Sequence, residues 1–317
     1  MTKFVRWFSI ISFLAFLSFP SHALAAQKIP VGITLSPLLQ QIQIQAGDVA
    51  KSFDVTVTNN TGTVQEISLS ARDFGSLNDT GGLIFEGAKN NYSQKYGLAS
   101  WLSVSQDTVV LNPHESKTLL ASIENRSSLQ PGGHYGAVVA SVGNLDSQSP
   151  DAVVINQQLV ALVLVTKVGG EHYDLRLKQV THNGNWLHLP STVILRFQNP
   201  GNVHVIPRGL VELKSPSGTV MARGVINVDS AIVLPESFRT LPVDLTPVGK
   251  AFPWPGQYHL SVQYRYDGLD RFAAKNIGLQ FVNAGMGVLL VVILAAAFWT
   301  VKQRVKNREK PAVKSNK

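Results

Sequence analysis

The sequence predicts an all-β chain of two similar sandwiches followed by a single C-terminal transmembrane helix. Three observations carry that expectation: period-two alternation through the body, three strand-and-turn markers that occur twice in one order, and a charge-free apolar run near the C-terminus. The chain has 317 residues and no Cys, so each sandwich core must be held by burial alone, which a unit of more than 100 residues can manage.

The N-terminal element, residues 1–25, reads as a cleaved signal peptide. Lys3 and Arg6 precede the apolar stretch from Trp7 to Phe19, Pro20 breaks it, and Ala23-Leu24-Ala25 supplies small residues at a cleavable spacing. An uncleaved anchor is the alternative, but the run is short for a span.

The first unit covers residues 27–168. Phe53, Val55 and Val57 alternate with Asp54, Thr56 and Thr58, and Ile67, Leu69 and Ala71 alternate with polar neighbours, as half-buried strands do. Ala46-Gly47-Asp48 and Asn59-Asn60-Thr61-Gly62 fall between such runs, where turn residues are needed. The apolar segment Val153–Val168 is expected to be the unit's last strand, beside Tyr135–Val142, and Gly169-Gly170 to mark a boundary.

The second unit, residues 170–283, repeats the markers of the first. Phe53–Thr58 with Asn59-Asn60-Thr61-Gly62 is matched by Val193–Gln198 with Asn199-Pro200-Gly201-Asn202. Val110-Leu111-Asn112-Pro113-His114-Glu115 is echoed by Val233-Leu234-Pro235-Glu236, and Pro131-Gly132-Gly133-His134-Tyr135 by Pro255-Gly256-Gln257-Tyr258. The second and third markers are 21 residues apart in the first copy and 22 in the second, whereas the first and second are 51 and 34 apart. The first unit therefore carries an insertion of about 17 residues, placed within 74–102. Units of this length with frequent turn signals fit immunoglobulin-like sandwiches in tandem.

Residues 284–301 form the second apolar run, long enough at about 1.5 Å per residue to cross about 27 Å of hydrocarbon as a helix. The basic tail, 302–317, follows it at once and by the positive-inside rule is expected in the cytoplasm, which puts the two units outside the cell. Charge distribution agrees. The formal net charge of +8 divides into +2 over residues 1–26, +6 over the tail and zero between. A neutral body lacks the clustered cations of a nucleic-acid groove, so no nucleic-acid partner is expected.

Motifs for catalysis are missing. There is no Cys nucleophile, no Gly-x-Ser-x-Gly and no His-Glu-x-x-His, so the chain is read as a non-enzyme without cofactor or metal. His182, His188 and His204 could converge but read better as scattered surface histidines. Asp73, Asn78 and Asp79 beside Gly81-Gly82 could offer oxygens to calcium but read better as an Asn/Asp/Gly turn.

Signal, first sandwich ending in Pro131-Gly132-Gly133-His134-Tyr135-Gly136-Ala137-Val138-Val139, strand Ala161–Val165, Phe197-Gln198-Asn199-Pro200-Gly201-Asn202, span and Lys-rich tail together resemble the WxL-interacting proteins of Gram-positive bacteria. That resemblance implies a cell-surface protein whose first domain binds peptidoglycan and whose second binds a partner or host. The same turn-rich sandwich also resembles periplasmic pilus chaperones, whose first domain donates an edge strand to a subunit, although those are soluble.

Binding is expected in the insertion, where Asn90, Asn91, Tyr92, Tyr96 and Trp101 mix amides with aromatic faces suited to a wall glycan. For Trp101 the competing reading is a plug at the sandwich end. The alternative function is a chaperone-like or scaffold role, capturing another surface protein by strand addition, with Asn144–Ala152 a candidate variable loop. A surface hydrolase, which would need convergent carboxylates, is the third reading.

Overall fold

The computed structural model describes residues 32–85, 95–143, 158–249 and 252–308. Its elements are short strands with one long C-terminal helix, the expected class. In the first unit one sheet has the order β1 (Ile33–Ser36), β3 (Ala50–Asn59), β8 (Ser116–Glu124), β6 (Leu102–Val104). Facing it are β2 (Leu39–Ile44), β10 (Gln158–Lys167), β9 (Gly132–Gly143), β4 (Gln65–Ser76) and β5 (Leu83–Phe85), with β7 (Thr108–Leu111) also on β4. The first strand thus changes sheets: β1 pairs antiparallel with β3, the Ser36–Pro37 peptide is cis, and β2 runs parallel to β10.

The alternation read from the sequence is the core. Phe53, Val55 and Val57 of β3 meet Ile67 and Leu69 of β4, and Val138 and Ala140 of β9 meet Ala161, Val163 and Val165 of β10. The β10 segment is apolar on both faces because both are covered: Leu164, with Val160 and Leu162, packs in a separate cluster with Phe74, Tyr135, Val139 and Leu234. Leu234 belongs to the second unit.

That second unit packs a sheet β11 (Arg176–His182), β12 (Thr192–Asn199), β15 (Ser237–Asp244) on another, ordered β16 (Thr246–Pro247), β14 (Val220–Ile226), β13 (Arg208–Lys214), β17 (Gly256–Arg265), β18 (Ala273–Phe281). Phe197, Leu195, Val211, Tyr258, Val262 and Tyr264 fill its core, with the Phe197 and Tyr264 rings edge-to-face at 5.1 Å.

The repeat in the sequence has a physical cause. Asn59, at the end of β3, is fully buried and donates its amide to the carbonyls of Thr63, Leu111 and Asn112. Asn199, at the end of β12, is equally buried and donates to Val203 and Val233, while accepting from the Gly201 N–H. In each unit one asparagine therefore clips the first marker to the second, which fixes their order and residue types. His114 and Glu236, each following a proline, both take φ near +60° in the matching turn.

Helix α1 (Ala284–Arg308) starts where expected and extends past the apolar run into the basic residues. It is long and apolar enough to cross a membrane, and the apolar window is not buried against the rest of the protein.

Candidate functional site: the cleft between the sandwiches

The insertion in the first unit is a strut onto the second. Its hairpin turn is built on Asn78, whose Oδ1 accepts from the Thr80 N–H at 3.0 Å and the Thr80 hydroxyl at 2.7 Å. That turn aims Asp79 across the gap. Its carboxylate accepts from Arg196 Nε at 2.6 Å and its carbonyl from the Thr240 N–H at 2.6 Å, while the Arg196 guanidinium lies 3.9 Å from the Phe238 ring centre. Further along, Asp73 Oδ1 accepts the N–H groups of Leu98 and Ala99, each at 2.6 Å, and so fixes the chain beside Tyr96. The Tyr96 hydroxyl donates to Glu236 Oε1 at 2.9 Å, and Lys95 pairs with the same oxygen. Lys95 holds the Glu236 carboxyl below its ordinary range, and Glu236 raises the Lys95 ammonium in return.

Two hollows flank β10 where the units meet, and Leu164 lines both. The larger, about 370 Å³, is walled by Leu38, Leu39, Phe74, Leu162 and Leu234 and closed by Arg239. Arg239 lies against Gly81 at φ +94°, where any Cβ would overlap the guanidinium. Its Nε is buried and has no hydrogen-bond partner among the described residues, and burial lowers its affinity for the proton without discharging it. A cation on an apolar wall is suited to a partner's carboxylate or carbonyl. The smaller hollow, about 270 Å³, is polar, with Gln41, Gln43, Thr166, Tyr173, His204 and Asp267 around it. There the His204 N–H donates to the Tyr135 hydroxyl at 2.7 Å, and the two rings meet edge-on at 5.7 Å. Burial pushes the His204 imidazole down to about 4, partly offset by the Asp267 charge.

Above the hollows, β10 has an open edge. Its pairing with β2 runs from Leu162 to Lys167, whereas its pairing with β9 begins at Gln158. The Leu162 N–H donates to Leu38 on the β2 side at 2.9 Å, so Val160 and Gln158, of the same parity, turn their main-chain groups outward. Among the described residues nothing pairs with that edge at Gln158–Ala161.

The residues expected to bind glycan are divided by the structure. Tyr96 is 3% exposed and has no open ring face, because it packs with Tyr135 in the inter-unit cluster. Trp101 is half-buried against the first core, its indole N–H 3.3 Å from the Ser128 hydroxyl, which is the plug reading of that residue. Asn90, Asn91 and Tyr92 lie outside the described residues, as does the loop Asn144–Ala152. The three histidines do not converge: His204 is at the cleft, while His182 ends β11 and His188 sits in an exposed turn on Asn185 at the other end of the second unit. His204 is accordingly an interface residue and not a surface one. Asn78 and Asp79 form a turn and an ion pair, and among the described residues no group of His, Asp or Glu could hold a metal. Sequence reasoning missed Arg239 and Glu236 as site residues, although both lie in the second copy of the marker once it is followed on to Leu119 in the first unit and Leu241 in the second.

No protein-family model matches the chain, and no curated protein is similar. Solved structures are. A chain of the chaperone-tip adhesin complex of CFA/I fimbriae biogenesis is 14% identical with a TM-score of 0.42, over 78% of this chain and 98% of that one. The class 5 fimbriae chaperone CfaA is 15% identical with a TM-score of 0.41, over 77% and 98%. The SafB chaperone–SafA pilin complex of Salmonella enterica gives 11% and 0.37, over 78% and 96%. The two-sandwich architecture stands on the strand pairing given above.

Proposed function

We propose that this chain is a single-pass membrane protein that holds another surface polypeptide by strand addition to the open edge of β10. The observation that carries the reading is the run Gln158–Ala161, unpaired on one side among the described residues and next to an apolar hollow closed by Arg239. A strand laid there would take main-chain hydrogen bonds from Gln158 and Val160, place alternate apolar side chains beside Leu162 and Leu39, and bring a carbonyl or carboxylate to Arg239. The helix α1 and the basic residues after it support anchoring with both sandwiches outside.

Photo-crosslinking in the producing cells tests this. A crosslinker at Val160 or Leu38 should give discrete adducts with a polypeptide, and one at Val110 or Leu120, exposed elsewhere on the first unit, should not. Val160→Pro removes the outward N–H, keeps the β9 ladder and should weaken capture about tenfold, since one hydrogen bond and the fit of the strand are lost. Equal adducts at all four positions, or capture unchanged in Val160→Pro, would overturn the proposal.

A further inference from the structure

The end of the second sandwich away from the cleft carries large exposed side chains that the binding site does not use. Three loops and a strand end meet there: residues 183–191 between β11 and β12, 215–219 between β13 and β14, 252–255 leading into β17, and Phe281–Asn283 leaving β18. Pairing brings them together, since Gly256 lies opposite Phe281 and Lys214 opposite His259. Trp186 and Trp254 are each 62% exposed and Phe252 55%. The Phe252 and Trp254 rings stack edge-on at 5.3 Å, so the aromatic surface is ordered.

These loops are tied to the residues that lead into α1. The Val282 N–H donates to the Trp186 carbonyl at 2.6 Å, and the Asn283 amide donates to the Pro253 carbonyl at 3.1 Å. Asn283 then accepts from the Gly285 N–H at 3.0 Å in the first turn of the helix. The exposed indoles therefore surround the point at which the apolar helix leaves the sandwich. Charge separates the two ends of the unit. Residues 183–191, 215–219, 245–255 and 281–283 contain no Asp or Glu, whereas the loops at the cleft contain Asp229, Glu236, Asp267 and Asp270. The nearest carboxylate, Asp244, ends β15 and accepts from the Thr192 hydroxyl.

We infer that this end is a collar seated in the headgroup region of the outer leaflet, with Trp186, Phe252 and Trp254 as its anchors. The inference rests on α1 spanning the bilayer. Indole rings prefer the zone where an apolar body meets hydrocarbon and the N–H meets water, and an acid-free rim avoids repulsion by anionic lipid. Covalent continuity with α1 sets the occupant: once the helix is inserted, the residues bonded to its first turn are already at the lipid surface. The collar also sets a height. The ten residues of β17 run from the collar to the cleft, which places the cleft at most about 33 Å above the lipid at about 3.3 Å per residue.

Fluorescence of the full-length chain, reconstituted in phosphatidylcholine–phosphatidylglycerol vesicles with and without brominated acyl chains, tests the collar and the span separately. Trp299 reports the helix, Trp101, in the first unit, reports neither, and Trp7, in the N-terminal apolar run, is replaced by Phe in every protein compared. Trp299→Phe protein should still lose about half its emission to brominated lipid, and the triple variant Trp299→Phe/Trp186→Phe/Trp254→Phe should lose almost none. Both indoles are exposed, so their replacement leaves the core intact. If the wild type is quenched but Trp299→Phe is not, the helix spans and the collar is overturned. If the wild type is not quenched either, the span fails and the collar falls with it. Blue-shifted but unquenched emission from Trp299→Phe would mean a second copy covers the indoles, which also overturns the proposal.

Discussion

Lowering the pH from 7 to 5 should loosen the protein through His204. An ordinary imidazole titrates at 6.5, and burial against Tyr135 brings this one to about 4. The folded value is the depressed one, so between 6.5 and about 4 the unfolded chain binds a proton that the folded chain refuses. Stability from this group is whole above 6.5, falls through that window and is level below about 4. At about 1.4 kcal/mol per pH unit the full window is worth about 3 kcal/mol, and the step from pH 7 to pH 5 about 2 kcal/mol. For two coupled units that is a fall in Tm of about 4–8 °C. The His134 imidazole is also lowered by burial and adds to the same slope. Glu236, held low by Lys95, contributes stability above the ordinary carboxylate range and loses it only in more acid solution, below this step. The assay is Tm of the full-length protein in detergent at pH 7 and pH 5, beside His204→Phe, which keeps the ring contact and the main-chain N–H to Tyr135 but cannot titrate. The variant should lose most of the pH step. An equal fall in Tm for both proteins would refute the assignment.

Asn199→Ala leaves the Val203 carbonyl and the Gly201 N–H buried without partners, while the Val233 carbonyl keeps the Val205 N–H, and should cost about 2–4 kcal/mol, read as faster hydrogen exchange along β12 and β15; a loss below about 1 kcal/mol would mean that the clip is not structural. Leu234→Ala, at a site 5% exposed on the first unit's outer face, should cost about 2–4 kcal/mol of contact between the units and split the calorimetric melt in two. Asp79→Ala removes an ion pair with over a third of each side chain exposed and should cost about 1 kcal/mol or less, so the reverse order of the two variants would show that charge and not packing joins the sandwiches.

Strands and turns were legible because their signals are local. Alternation in β3 and β4 and the paired asparagines are properties of adjacent residues, so period, turn and repeat could be read directly. The cleft was not legible, since it depends on how the second unit's Pro235–Arg239 turn meets the first unit's outer sheet, a contact between segments far apart in the chain, such as Leu164 with Leu234 and Phe74 with Leu234. The apolar run around Val160–Val165 did carry a trace of it. A strand with one covered face should alternate, and this one does not, which signals a second cover. Tyr96 was misread for a related reason. An aromatic in an insertion suits a sugar and a neighbouring domain equally well, and only the Glu236 carboxylate opposite its hydroxyl distinguishes the two.

Coverage of β10 on both faces also explains why the proposed strand addition needs no rearrangement of the units. Were the second sandwich hinged, Val160, Leu162 and Leu164 would be an exposed apolar stripe in the free state, beside an unpaired edge, and the chain would pair with itself. The strut prevents this. Leu234, packed with Phe74, Tyr135 and Leu164, holds the second unit over the stripe, Asp79 on Arg196 and Tyr96 with Lys95 on Glu236 set its direction, and among the described residues what stays open is the short edge Gln158–Ala161 with the hollow beside it. A strand that arrives there must bring both main-chain groups and an anchor that fits beside Arg239, and the second requirement is what makes an open β edge selective.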